Sequence, residues 1–258
     1  MAGIAAGLAL SGKIPFMSSF GVFSPGRNWD QIRVSIAYSK ANVKILSSHA
    51  GISVGEDGAS HQALEDIAMM RALPNMVVLA PADANEMEQA IYEAVKYRGP
   101  VYIRYHRIAL PQITDPKKSF KIKKAQILKD GNDIGIIACG SMVSKSLEAA
   151  KELEKEHIKV CVLNCSSIKP LDHLAILEVA RKTKMIITCE EHQINGGLGG
   201  AVAELLSQNY PIPMEIMGIH DTFGESGESE ELLQKYKLSS KHIADKVFAM
   251  YKNKIHKS

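Results

Sequence analysis

At 258 residues the chain has room for one large domain or two of about 100–150 residues each. Its balance of 46% hydrophobic and 23% charged residues excludes a disordered or membrane-embedded class. The net charge of +3, with lysines clustered only at 117–124 and at the C-terminus, gives no basis for a nucleic-acid surface.

In chain order, MAGIAAGLALSG (residues 1–12) predicts a buried helix of small residues. Its apolar run is short, without a basic segment before it or a stop-transfer pattern after it, which argues against a secretory signal. No Ser, Thr, Asp or Asn cap precedes its first apolar turn, so the helix is expected to begin in the middle of an element. IPFMSSFGVF then predicts a strand running into a loop, RNWDQIRVSIAYSK a helix, NVKILSSH a strand and HQALEDIAMMRAL a helix. MVVLAPA predicts a strand, ANEMEQAIYEAVKY an amphipathic helix and PVYIRYH a strand. This alternation predicts a mostly parallel sheet covered by helices, with ligands at the carboxyl ends of its strands.

Residues 108–121, with two prolines, a lysine pair and no clear period, suit a linker. A second alternating series follows: DIGIIACG, KVCVLN, MIITCEE and MEIMGI as strands, with KSLEAAKELEKE, LDHLAILEVARK, GGAVAELLSQ and KHIADKVFAMYK as helices. The fold class is therefore α/β, two domains, each a mostly parallel sheet flanked by helices; the boundaries are set at 1–110, a linker over 111–121, and 122–258. No repeat between the halves is convincing at residue level.

Several motifs compete for function. Cys139, Cys161, Cys165 and Cys189 sit in or beside apolar strand-like runs, where free thiols behave as small hydrophobes. The C-x3-C pair at 161 and 165 has no second pair or nearby histidine to complete a zinc site, so these read as structural thiols of a reducing compartment. GGLGGA (196–201) follows a strand and opens a helix, but Val202 stands where a dinucleotide fingerprint needs glycine, and close helix packing or an interface turn accounts for it better. GEDG (55–58) lacks the acid ladder of a calcium loop and alone would be a plain glycine turn. Its setting alters that reading: His49, Asp57 and His61 all fall at the carboxyl edge of the first sheet, where imidazoles can shuttle protons and carboxylates can read hydroxyls. Phe20 and Phe23 end the preceding strand; either they pack in the core or they present a face for a planar heterocycle. Arg107 is placed as a phosphate clamp, because its fork matches phosphate oxygens. Arg104 competes for that role, though its position inside the strand favours a structural ion pair.

PFMSSFGVFSPGRNWDQIR, HAGISVGEDGASHQALEDIAMMRALPNMVVLAPADANE and GPVYIRYHR together resemble the pyrimidine-binding domain of transketolase and its thiamine-diphosphate relatives. The second half resembles the transketolase C-terminal domain, and IHDTFGESGESEELLQKYKL is more similar to transketolase than to deoxyxylulose-phosphate synthase or the pyruvate dehydrogenase beta subunit. The resemblance covers essentially the whole chain.

The resemblance implies residue roles. Phe20 and Phe23 match aromatic residues that contact the cofactor's aminopyrimidine. His61 matches the histidine that hydrogen-bonds donor hydroxyls and helps move protons. Asp57 matches the acid that recognises the acceptor's 2-hydroxyl, and His49 and Arg107 match residues near the sugar phosphate. At Gly26, full-length transketolases often place a tyrosine, so a wall of the pyrimidine pocket is expected to be thinner here. The family's ring-protonating glutamate lies in a GIAEQ-like stretch that would precede Met1. The diphosphate and its divalent metal, magnesium or calcium, bind a different domain that some microbes encode as a separate N-terminal subunit.

The expectation is thus a C-terminal subunit of a split, cytoplasmic transketolase of the pentose phosphate pathway. It would transfer a two-carbon ketol unit between sugar phosphates with thiamine diphosphate, as a homodimer or heterotetramer with its N-terminal partner, inactive alone, with no metal, nucleic acid or membrane bound by this chain. Two rivals stand beside it. One is another thiamine-dependent transferase such as deoxyxylulose-phosphate synthase; the other is a non-catalytic assembly partner lacking the ring-protonating glutamate.

Overall fold

The computed structural model describes residues 1–255, with side chains up to Lys252. The first half opens with α1 (Ala2–Leu10), which buries the small residues Ala2, Ala5 and Ala6 and leaves Ile4, Leu8 and Leu10 exposed. β1 (Phe16–Phe20) follows, then α2 (Trp29–Gln31), which runs on as wider π-helical turns over Ile32–Tyr38. β2 (Lys44–Ser48) leads into a 3₁₀ segment, Ile52–Asp57, and α3 (Asp66–Ala72). α3 starts five residues later than the sequence predicts, because 61–65 are taken up by a turn and by the bridge between Ala50 and Ala63. β3 (Val77–Leu79), α4 (Ala84–Lys96) and β4 (Val101–Arg104) complete the first series. α4 begins on a reciprocal cap: the Asp83 carboxylate accepts from the Glu86 amide at 2.9 Å while Glu86 accepts from the Ala82 amide at 2.7 Å.

The second half contains β5 (Gln126–Lys129), β6 (Ile134–Ala138), α5 (Met142–Glu154) and β7 (Val160–Asn164). β8 (Ser167–Lys169), α6 (His173–Thr183), β9 (Ile186–Gln193) and α7 (Leu198–Asn209) come next. β10 (Met214–Ile219), α8 (Ser229–Lys235) and α9 (Ser240–Ile255) close it. Every residue of β4, β6 and β7 is buried, as strands covered by helices on both faces require.

The two sheets have the strand orders β1-β2-β4-β3-β8 and β10-β9-β6-β7-β5. Pairing is parallel throughout except at β5 on β7 and β8 on β3. β8 is a strand of the second half that completes the sheet of the first. The apolar core is shared in the same way: one cluster joins Met17, Ile32 and Met70 to Ile137, Leu163, Ile176 and Leu198. The segment 108–121 has no strand or helix but is fastened to α4 and the first sheet. Asp83 accepts from the amides of Ile113 and Thr114 at 2.7 Å, and Phe120 is buried with Val77, Ala90 and Val101.

Candidate active site

The parallel register brings the carboxyl ends of three strands into line, with Phe20 beside Ser48 and Ser47 beside Arg104. The chain leaving β1, β2 and β4 therefore emerges at one edge, carrying Phe20 to Phe23, His49 onward and Tyr105 to Arg107. His49 leaves β2 with a positive φ of 56°, uncommon for a side chain with a Cβ. Its imidazole lies flat on the Phe20 ring, 3.6 Å between centroids at 15°, and its Nδ1 meets Ser48 Oγ at 2.9 Å. Phe20 and Phe23 are nearly parallel at 5.9 Å, and His61 stands edge-on to both, at 5.8 and 5.4 Å. Two aromatic rings and two imidazoles thus form one half-buried cluster.

Asp57 ends the 3₁₀ segment and comes within 3.8 Å of the Arg107 guanidinium, which also donates to the Val54 carbonyl at 2.9 Å. His49 is pushed below the ordinary histidine value by loss of solvent and by the positive Arg107, with Asp57 acting in the opposite direction. In the free chain, then, His49 at neutral pH is an uncharged hydrogen-bonding ring beside the positive Arg107. At Gly26 the backbone itself leaves no room: a Cβ there would lie 2.1 Å from the Val22 carbonyl oxygen. The Arg27 guanidinium covers the Phe23 ring instead, 4.7 Å from its centroid.

Arg104 is buried in a structural ion pair. Its Nε meets Asp66 Oδ2 at 2.9 Å, the Tyr102 hydroxyl donates to the same oxygen at 2.7 Å, and Nη2 donates to the Glu191 carbonyl at 3.0 Å. Burial alone would raise the Asp66 pKa; Arg104, His192 and the Tyr102 hydroxyl reverse that and hold it below the ordinary value. GGLGGA is a packing turn. The amides of Leu198 and Gly199, which an anion would need, both donate to the Glu190 carboxylate at 2.7 Å. All four cysteines are free and buried; Cys165 and Cys189 are pushed up to about 12 by burial, the pattern of inert thiols. Among the described residues no three His, Cys, Asp or Glu side chains converge on a metal site, and no helix is long and apolar enough to cross a membrane.

The sequence reading passed over a second polar group directly beneath the candidate loop. Glu191 and His106 are almost fully buried, with His106 Nδ1 and Glu191 Oε2 3.4 Å apart. Glu191 also accepts from the Ser53 amide and, at 2.6 Å, from the Ser141 hydroxyl. A signal was present in the run Glu190-Glu191-His192: consecutive ionisable residues at the end of an apolar strand, where alternation would turn at least one outward.

A sheet edge with paired aromatic and imidazole rings, built on two helix-covered parallel sheets, defines the class, and comparison with known proteins supplies the family. The family model of the transketolase pyrimidine-binding domain matches residues 1–112, and that of the transketolase C-terminal domain matches residues 123–243. The chain belongs to the transketolase family. It is 46% identical, over 96% of its length and 78% of the relative's, to a Methanocaldococcus jannaschii protein named as a transketolase C-terminal section. It is 41% identical to a 6-deoxy-6-sulfo-D-fructose transketolase subunit of a Clostridium species, over 94% of this chain and 76% of that one. Among solved structures it superposes on a split-gene transketolase, an inactive β4 tetramer, with a TM-score of 0.91 and 47% identity, covering 96% of this chain and 79% of the other.

Proposed function

We propose that this chain is the C-terminal subunit of a two-chain transketolase that moves a two-carbon ketol unit from a ketose carrying a terminal oxyanion, in the first instance a phosphate, to an aldose phosphate. The observation that carries the reading is the cluster of Phe20, Phe23, His49 and His61 at the carboxyl edge of the first sheet. Its donor set fits the aminopyrimidine of thiamine diphosphate: two near-parallel benzyl rings offer stacking faces and two imidazoles offer hydrogen-bonding edges. Thiamine diphosphate, when bound, supplies the electron sink for carbon–carbon bond cleavage.

The chain's own residues do the positioning. His61 has its Nδ1 engaged by Ser60 Oγ at 2.9 Å, which leaves Nε2 to meet a donor hydroxyl and move its proton. Asp57 reads the acceptor's 2-hydroxyl. Arg107 matches the terminal oxyanion with its fork, and His49 adds a neutral hydrogen bond beside it. An Arg fork fits a sulfonate as well as a phosphate, which agrees with the sulfo-sugar named for the Clostridium relative. The partner in this reading is an N-terminal transketolase chain that holds the diphosphate and its magnesium or calcium ion. Together they form a cytoplasmic dimer of such pairs, and neither chain is active alone.

The test is ketol transfer by this chain mixed with its N-terminal partner, with ketose phosphates, a sulfo-ketose and pyruvate compared as donors. His61→Ala is expected to lower turnover about 100-fold or more, the scale of a lost acid–base group. Arg107→Ala is expected to act mainly on the KM for substrates with a charged end. Near-wild-type turnover by His61→Ala overturns the role of that residue, and preference for pyruvate replaces the reaction with that of a deoxyxylulose-phosphate synthase.

A further inference from the structure

Ser53, four residues before Asp57, is held by both of its peptide groups, and both holders belong to the second half of the chain. Its amide donates to Glu191 Oε1, and its carbonyl accepts from Ser229 Oγ at 2.7 Å. Glu191 is itself fixed from beneath by Ser141 Oγ at 2.6 Å, with the His106 ring 3.4 Å away. The glycines of the loop fit the same surface. Gly55 and Gly58 have φ of 83° and 70°; a Cβ on Gly55 would lie 3.2 Å from Ser229 Oγ, and one on Gly58 2.5 Å from Ser226 Oγ. On Gly51, a Cβ would lie 2.3 Å from Glu191 Oε1. At the far end Gln62 donates to the Ile52 carbonyl at 3.1 Å and to the Glu225 carbonyl at 2.9 Å.

A short 3₁₀ segment broken at Gly55 and bounded by two more positive-φ glycines, Gly51 and Gly58, has little order of its own, because its hydrogen bonds are poor and these glycines lose the most entropy on fixing. Its shape comes from the seat it rests on. We propose that Glu191 and Ser229 are positioning residues that set where the Asp57 carboxylate stands, so that the second half of the chain determines how strictly the acceptor's 2-hydroxyl is read. This rests on the reading of Asp57 given above. The carboxylate–amide bond from Glu191 is charge-assisted and fixes the buried side of the loop, while the Ser229 hydroxyl fixes the side that faces α8.

The experiment compares wild type, Ser229→Ala, Ser229→Thr and Glu191→Gln in the reconstituted two-chain complex, with ribose 5-phosphate and 2-deoxyribose 5-phosphate as acceptors. Loss of one such hydrogen bond is expected to raise the KM for ribose 5-phosphate about three- to tenfold in Ser229→Ala, with a smaller change in kcat. The preference for ribose over its 2-deoxy analogue should fall by a similar factor, Ser229→Thr should restore it, and Glu191→Gln, which keeps an acceptor oxygen, should lie between. Equal losses with both acceptors, or no change in preference, overturn the proposal. In parallel, amide hydrogen exchange on the chain alone should quicken at residues 53–57 in Ser229→Ala and stay unchanged in β6 and β9; unchanged exchange at 53–57 also overturns it. Should the wild-type complex transfer no ketol unit, the enzymatic reading fails, and the exchange measurement by itself decides whether Ser229 holds the loop.

Discussion

An imidazole stacked on a benzyl ring gives up water on one face, and in His49 that loss adds to the field of Arg107 to disfavour the protonated form. The sign follows for each neighbour. Arg107→Gln removes a positive charge and should raise the His49 pKa, whereas Asp57→Asn removes a negative one and should lower it further. Titration of the His49 ring by NMR checks both; shifts of the opposite sign would mean that the three groups do not share one field. At this scale the sequence was legible where a chemistry-bearing residue lies at or just beyond the end of a strand, since the parallel register then brings Phe20, His49 and Arg107 to one edge. Arg104 was legible too, because a charge inside a strand buried on both faces needs an opposite charge. Glu191 and Ser229 were not. They meet Ser53 across 138 and 176 residues of chain, and nothing local in either segment marks that contact.

Among the elements, α7 shows how a glycine-rich start can imitate a nucleotide site. Glu190 fills the place of the phosphate, and the glycines answer to packing: a Cβ on Gly199 would lie 2.5 Å from Ile216 Cγ2, while one on Gly200 has nothing nearer than Arg71 Nη1 at 3.5 Å. Adjacent glycines should therefore respond oppositely to alanine. Gly199→Ala overpacks the helix against the sheet and is expected to cost about 1–3 kcal/mol. Gly200→Ala gains helix propensity without a clash and is expected to stabilise by up to about 1 kcal/mol. Denaturant unfolding of the two variants is the measurement, and two changes of the same sign would contradict the packing described. The long strands and helices announced themselves through apolar runs and helical periodicity. β5 and β8 did not: unlike the equally short β3 and β4, they carry no continuous apolar run (QILK and SIK), and both run antiparallel in otherwise parallel sheets.

For the whole molecule, the two halves are a continuous structure despite their separate family models. β8 completes the first sheet, and Lys169 Nζ donates to the carbonyls of Arg71 and Leu73. Unfolding should accordingly be a single transition. Lys169→Met leaves those two carbonyls without their charged donor and is expected to cost about 1.5–3 kcal/mol. Trp29, the single tryptophan and a first-half residue, should report that loss by fluorescence at the same midpoint as far-UV circular dichroism. Separate midpoints would show that the halves unfold independently.

The strand order also sets a timetable for biosynthesis. Arg71 and Lys169 are 98 positions apart, and a ribosome adding about 5–20 residues per second needs roughly 5–20 s to cross that interval. For most of it the β3 edge that will carry β8 is unpaired, an open strand flank that can pair wrongly until residues 167–169 arrive.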